Sequence, residues 1–436
     1  MKSFFKRAIV GILTWEAKKV LRKYNPKIVG VTGSVGKTST KDAIYTVLAS
    51  NFHTRKSDKS FNSELGVPLT ILGLPNAWSN PLLWLRNIIQ GFFLILSKHS
   101  YPQWLVLEIG ADAPGDIETL TTWLKPDVAV LTRFGDVPVH IEFFPTIDDL
   151  INEKGYLAHA LKKDGVLVLN HDDEKVFAFG ERVNHRKISY GFDSGAHVHA
   201  DQEKVTYGPY DHTDLELPHG MAFMLNYEGK SQLLEVNGTI GKQHIYPILA
   251  AFAVGISQGI PAEKMHESLK KHTTPRGRMK LVAGLKDTLL IDDTYNSSPV
   301  AVHAALHALK SLKCAGRKIA VLADMMELGQ YSVEEHKKVG TAVPDAAQML
   351  VAVGFRSRTT AEAALDAGMS ELNVLQFDTS TEAGKYVESI IKSGDIILVK
   401  GSQSMRMERV VEEIMAHPEK ARDLLVRQDK QWKAKK

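Results

Sequence analysis

The sequence holds one cysteine, Cys314, in 436 residues. An intrachain disulfide is therefore excluded, and a reducing compartment such as the cytoplasm fits. Charge of one sign is not in excess either. Lys and Arg number 54 against 50 Asp and Glu, for a formal net charge of +4, so composition gives no reason to expect a nucleic-acid partner. No apolar run reaches the roughly 20 residues that cross a bilayer. Internal repeats and low-complexity blocks are absent. What remains is an ordinary globular mixture, 44% hydrophobic and 24% charged, in a chain long enough for about two or three domains and a sizeable core.

Two segments resemble membrane-directed elements at first sight. Lys2, Lys6 and Arg7 precede the short apolar run Ala8 to Leu13, as in a secretion signal. Trp15-Glu16-Ala17-Lys18-Lys19 follows and no small-x-small cleavage site does, so residues 1–26 read as a basic amphipathic helix ending near Asn25-Pro26. The apolar stretch Pro81 to Leu96 is interrupted by Arg86 and Gln90. Both segments read as helices packed on a core, with a weak interfacial membrane contact as the alternative. Lys18, Lys19, Arg22 and Lys23 cluster on the first helix, where they could meet a diphosphate or an anionic surface.

Lys27 to Thr32 reads as a short buried strand running into Gly33-Ser34-Val35-Gly36, with a helix from about Lys37. A strand, a glycine turn and a helix N-terminus in that order hold phosphate through backbone N–H groups. Lys37 would meet the outer phosphates and the Thr38 hydroxyl a Mg²⁺ ion, with Ser39 next in the loop. A strict P-loop asks for glycine at position 31, which is Val31, so this is the shorter G-x-x-G-K-T form. Further strands are expected at 104–108, 128–132 and 165–169, alternating with helices. That alternation predicts a mostly parallel sheet. Residues 186–238 read as antiparallel strands appended to it, followed by a helix at about 243–258. A boundary near His272-Thr273-Thr274-Pro275 precedes new strands at 289–291, 318–322, 349–353 and 395–399. The expected fold is α/β: a central domain, 27–273, that carries the phosphate loop, and a Rossmann-like C-terminal domain, 274–436. The Lys-rich tail from about 420 is expected to be solvated or frayed. His171 and His336 read as surface residues.

The loop Thr32-Gly33-Ser34-Val35-Gly36-Lys37-Thr38-Ser39 resembles the ATP loop of the Mur ligase family, and six more segments match that family in order. They are Phe61-Asn62-Ser63-Glu64-Leu65-Gly66-Val67-Pro68; Leu107-Glu108-Ile109-Gly110-Ala111 with Pro114-Gly115-Asp116-Ile117; His140-Ile141-Glu142 with Phe144; Asp292-Asp293-Thr294-Tyr295-Asn296 with Pro299; Asp324-Met325 with Glu327-Leu328-Gly329; and Lys400-Gly401-Ser402 with Ser404-Met405. The last segments point to the family's D-Ala-D-Ala-adding branch. Two features depart from it. That branch has a separate UDP-sugar-holding domain ahead of the ATP loop, where only the basic helix stands here. Its R-H-N-x-x-N stretch is replaced by Lys242-Gln243-His244-Ile245-Tyr246-Pro247, so adenine contacts there do not carry over.

The resemblance implies an ATP-dependent ligase that makes an amide through an acyl phosphate, in peptidoglycan precursor synthesis. Its substrates would be ATP, a UDP-MurNAc-peptide and D-Ala-D-Ala. The alternatives are a related ligase with another carboxylate or amine, and a catalytically silent binding protein. The chemistry requires anionic oxygens to be neutralised and held in line, which suits two Mg²⁺ ions. By resemblance, Thr38 and Glu108 hold the first ion and His140 helps hold the second. Lys154 matches a carbamylated lysine whose anion would face Mg²⁺. Arg278 reaches the γ-phosphate from the second domain, with Arg276 as competitor. Asp293 takes the ribose, or else Asp292-Asp293 caps a helix. Asn62, Tyr295 and Asn296 line the nucleotide cleft, and Asp324, Glu327, Lys400 and Ser402 serve the amine. A monomer is expected.

Overall fold

The computed structural model describes residues 2–58, 61–78, 80–209 and 215–433, with side chains from residue 6 onward. Its first sheet has nine strands: β1 (Lys27–Thr32), β2 (Thr54–Lys56), β3 (Trp104–Glu108), β4 (Val128–Leu131), β5 (Val166–Asn170), β6 (Arg186–Gly191), β7 (Val198–Pro209), β8 (Glu216–Tyr227) and β9 (Lys230–Asn237). The order is β2-β3-β1-β4-β5-β6-β7-β8-β9. Strands β2 through β7 pair in parallel, and β7, β8 and β9 are antiparallel. The expected antiparallel segment therefore begins later than position 186. Strand β6 follows a helix, Glu174–Glu181, and this crossover returns the chain parallel to β5.

The second sheet holds β10 (Lys280–Gly284), β11 (Thr288–Asp293), β12 (Lys318–Ala323), β13 (Met349–Val353), β14 (Val374–Phe377) and β15 (Ile396–Lys400), in the order β10-β11-β15-β12-β13-β14. Only β10 is antiparallel to its neighbour. The parallel strands read as continuous apolar runs because helices cover both faces. In the first sheet one face carries α1 (Lys2–Tyr24), α3 (Gly66–Leu72), α4 (Pro81–Leu96) and α6 (Ile147–His159), and the other carries α2 (Lys37–Ala49) and α8 (Ile245–Ser257). The remaining helices labelled here are α5 (Asp116–Thr121) and α7 (Glu174–Glu181).

Helix α1 buries Ile9, Leu13, Ala17 and Val20 against α3 and α4. Its end is fastened: Lys23 Nζ donates to the carbonyls of Leu94, Ile95 and Ser97, which close α4. Helix α4 starts on an Asn80 cap followed by Pro81 and buries only Trp84, Asn87 and Gly91. One side of each helix thus packs on the core. Among the described residues, no helix is long and apolar enough to cross a membrane.

Two expectations fail. The chain from 420 to 433 is docked rather than frayed. Arg427 donates to Glu408 Oε2 at 2.7 Å and to the carbonyls of Thr294 and Tyr295, so a buried carboxylate holds what composition marked as solvated. His336 is buried, not superficial: its Nε2 accepts from Met325 N at 3.0 Å, and its Nδ1 meets the Ser332 carbonyl at 2.7 Å. Glu334, Lys337 and Lys338 around it are exposed, while His336 turns inward together with Glu335. His171 is half-buried, its ring edge-on to Phe177.

Candidate active site

Parallel sheets place ligands beyond the carboxyl ends of their strands, where neighbouring connections diverge. Strand β1 lies between β3 and β4, and it ends at Thr32 in the glycine turn. In the second sheet, β11 and β15 end in register at Asp293 and Lys400. Both sheets therefore aim these ends at one cleft of about 510 Å³.

The loop geometry requires its glycines. Gly33 has φ +145°, and a Cβ there would meet Thr132 Oγ1 at 2.0 Å; Gly36, at φ +87°, opens α2. Ser34 N donates to the Arg133 carbonyl at 2.6 Å and Val35 forms an isolated bridge with Arg133, which anchors the turn. The first N–H groups of α2, at Lys37, Thr38 and Ser39, then face the cleft without intrahelical acceptors. Lys37 Nζ folds back onto the Gly33 carbonyl at 2.8 Å, and desolvation lowers its pKa.

Across the cleft, Arg278 Nη2 donates to Thr38 Oγ1 at 3.2 Å, and its guanidinium lies 4.1 Å from the Tyr295 ring centroid. Arg276 points elsewhere, to the Arg422 carbonyl at 2.7 Å. Asn62 lines the cleft and comes close to Gly110, where a Cβ would meet its Nδ2 at 2.8 Å. Asp293 accepts from Lys400 Nζ at 2.6 Å and from Met279 N at 3.2 Å. It is no helix cap, because Ser298 caps the helix that follows. Asn296 lines the cleft beside it.

His140 and Glu327 meet between the domains at 2.8 Å, both with left-handed backbones at φ +73° and +65°. Such a conformation is costly for non-glycine residues and is held by its surroundings. The contact keeps the Glu327 carboxyl below its usual range. Asp324 lies away from the cleft lining, accepting from Ser357 N at 2.8 Å, and Ser402 Oγ accepts from Met326 N at 2.9 Å. Of the four residues assigned to the amine, only Glu327 and Lys400 border the cleft.

Lys154 lies behind the wall, 3% exposed. Burial and the nearby Lys37 push its pKa well down, while Glu153 and Asp112 oppose the shift. The neighbouring Glu153 carboxylate is engaged elsewhere. It accepts from Gly115 N, Ile117 N and Glu118 N at 2.6 to 3.1 Å, capping α5. Lys18 and Arg22 border a separate hollow of about 520 Å³, away from this site.

Sequence reasoning missed several lining residues: Asp112, Gln243, His244 and Tyr246. His244 is neutral, its pKa lowered to about 3 by burial. Asp112 lies 3.7 Å from His140, and only the tertiary fold brings it there.

Among the described residues, no group of three or more His, Cys, Asp or Glu side chains could hold a metal. The donor set at the loop suits Mg²⁺ nonetheless. Glu108 Oε2 is buried without a hydrogen-bond partner, with Lys41 Nζ 3.9 Å away, and it shares the cleft with Thr38. One carboxylate and a hydroxyl, completed by water and phosphate oxygens, are typical Mg²⁺ partners. Ser34 Oγ, His244 Nε2 and Arg278 Nε in the same cleft are also buried without partners.

Comparison with known proteins points to one family. Residues 86–255 match the family described as Mur ligase middle domain, and residues 277–403 match Mur ligase, glutamate ligase domain. The chain is 27% identical over 409 residues to the UDP-N-acetylmuramoyl-tripeptide–D-alanyl-D-alanine ligase of Bacillus subtilis (strain 168), covering 92% of this chain and 79% of that relative. The protein of the same name from Mycobacterium leprae (strain TN) is 28% identical over 396 residues, covering 87% and 71%. Among solved structures, the MurF ligase of Thermotoga maritima in complex with ADP superimposes with a TM-score of 0.75 at 26% identity, covering 93% of this chain and 83% of that one.

Proposed function

This chain belongs to the Mur ligase family, and on that premise we propose that it joins D-Ala-D-Ala to a UDP-MurNAc-tripeptide at the expense of ATP. The two-domain division at 273/274 makes the two walls of the cleft. A terminal carboxylate of the peptide attacks the γ-phosphorus, giving an acyl phosphate and ADP. The amine then attacks the acyl carbon, phosphate leaves, and the amine proton passes to solvent or base. ATP consumption puts this work in the cytoplasm.

Each step asks for charge neutralisation and alignment more than covalent chemistry from the protein. The α2 N-terminus and Lys37 would take the outer phosphates. Thr38 and Glu108 would hold one Mg²⁺, with His140 and a carbamylated Lys154 toward a second. When bound, the ions would offset the charge of the transferring phosphoryl group. Arg278, fixed against Tyr295, would grip the γ-phosphate from the facing domain. Lys154 suits carbamylation because burial and the nearby Lys37 lower its pKa, and the neutral amine is the form that adds CO₂. Asp293 is tied to Lys400, so ribose binding would use the carboxylate in competition with that ammonium.

The observation that carries the reading is the Arg278–Thr38 contact, which brings the cation of one domain onto the phosphate loop of the other. The test is release of ADP and phosphate with UDP-MurNAc-tripeptide and D-Ala-D-Ala, run beside a panel of other acceptors and amines. Lys37→Ala, folded as judged by circular dichroism, should form no ADP. Turnover near normal in that variant would refute the assignment, and turnover only with other pairs would replace the substrates.

A further inference from the structure

Helices α1 and α4 pack together and leave a large apolar surface uncovered. On α4, Leu82, Leu85, Ile89, Phe92, Phe93 and Leu96 are exposed, Leu82 by 77% and Leu96 by 71%. Their spacing puts them on one face, opposite the buried Trp84, Asn87 and Gly91. On α1, Ile12 and Trp15 continue the surface, with the Trp15 ring 5.8 Å from that of Phe92. Trp78, just ahead of α4, is also exposed. An apolar surface of this kind in water marks an interaction site.

The charges around it say of what kind. Exposed basic residues on and beside the two helices are Lys6, Arg7, Lys19, Arg22, Lys23, Arg86 and Lys98. From residue 6 to 24 and from 81 to 101 there is one acidic residue, Glu16, and it is buried between the helices. Glu64, beside α1, is already paired with Lys6. The whole chain is nearly balanced at +4, so this cationic concentration is local. Tryptophan at the margin, bulky apolar side chains in the middle and lysine and arginine at the edge are the features of helices that lie in a membrane interface. A second copy of the chain would set two cationic rims against each other, which is unfavourable.

We propose that the exposed face of α1 and α4 docks the protein flat on an anionic membrane surface, with Leu85, Ile89, Phe92 and Phe93 entering the headgroup boundary and Lys19, Arg22 and Arg86 meeting lipid phosphates. The ATP cleft shares no lining residue with this face, so docking leaves it accessible. The inference stands apart from the substrate assignment, since it uses none of the cleft residues.

Flotation of the full chain with vesicles of mixed phosphatidylglycerol and phosphatidylcholine, against vesicles of phosphatidylcholine alone, tests it. The protein should float with the anionic vesicles and largely remain behind with the neutral ones, and salt should release it. Leu85→Glu with Phe92→Glu should lower partitioning at least about tenfold, because charge is costly at that depth. Lys19→Glu with Arg86→Glu should lower it by about as much, through loss of attraction to the surface. Circular dichroism and ADP formation, unchanged in both variants, separate lost docking from lost folding. Wild-type protein that ignores anionic vesicles would overturn the proposal. So would equal flotation of the apolar variant, or a concentration-dependent dimer in sedimentation that the apolar variant abolishes, since a second copy would then own the face.

Discussion

The ATP cleft and the α1–α4 face are opposite kinds of imperfection. In the cleft, polar atoms are buried without partners: Ser34 Oγ, Glu108 Oε2, His244 Nε2 and Arg278 Nε. On the helix pair, apolar groups stand in water: Leu82, Phe93 and Leu96. A buried polar group without a partner costs about 1–3 kcal/mol, and each Å² of apolar surface left in water forgoes about 25 cal/mol. Neither feature is fully satisfied within the chain. Each gains only when something from outside arrives, an anion with its metal ion in one case and a low-dielectric boundary in the other. The lesson is that the sign of a local defect, polar inside or apolar outside, indicates the chemistry of the missing partner.

The comparison can be broken most forcefully at the cleft. Arg278→Ala should lower the rate of ADP formation by roughly 10³-fold, the usual effect of removing an arginine that stabilises phosphoryl transfer. Arg276→Ala, two residues away but bound to the Arg422 carbonyl, should stay within about twofold under the same assay. Equal losses in the two would mean that the contact with Thr38 has no catalytic meaning. Lys154→Ala should cost roughly 100-fold, as for lost support of a metal site, and short carboxylates added to the assay should restore part of the rate. Intact-mass measurement of gently handled wild-type protein should show an added CO₂. An unmodified lysine together with an active alanine variant would remove the carbamate.

The helix pair contains one exception to the contrast, and it sharpens it. Glu16 is buried between α1 and α4, with both carboxyl oxygens lacking partners and with Gly91 leaving the space it occupies. Burial raises its pKa from 4.5 to about 7. The folded state therefore prefers the protonated form. The resulting penalty is absent below about pH 4.5, grows as pH rises through the window up to about 7, and is complete above it. Glu16→Gln removes the ionising group, so it should raise the melting temperature by a few degrees at pH 8, about the shift expected for 1 kcal/mol, and leave it nearly unchanged at pH 4.5. A melting temperature that shifts equally at both pH values would show that the carboxyl is solvated.

Much of this was legible in the sequence, for physical reasons. Strands of a parallel sheet are apolar on both faces, so β1, β3 and β13 stood out with their bounds correct. Gly33 and Gly36 were visible because only glycine accepts those backbone angles next to Thr132. Other features depended on long-range contacts. Arg276 and Arg278 are equivalent as text, and only the path of the 421–433 segment occupies one of them. The pairing of Lys400 with Asp293 was not legible, because nothing in the sequence reveals that β11 and β15 end in register. His336 looked solvated among charged neighbours, although a helix carries both wet and dry faces. The run Pro81 to Leu96 showed its apolar content but not that only Trp84, Asn87 and Gly91 would be fully buried.

The contact between Arg278 and Thr38 has a kinetic consequence. The hydroxyl that a metal ion would claim, and the guanidinium that a γ-phosphate would claim, are already occupied with each other. On the roles proposed for these two residues, nucleotide binding would be an exchange of partners and not an addition to an idle surface. On those roles, weakening that contact from either side should speed nucleotide association and loosen the complex that follows.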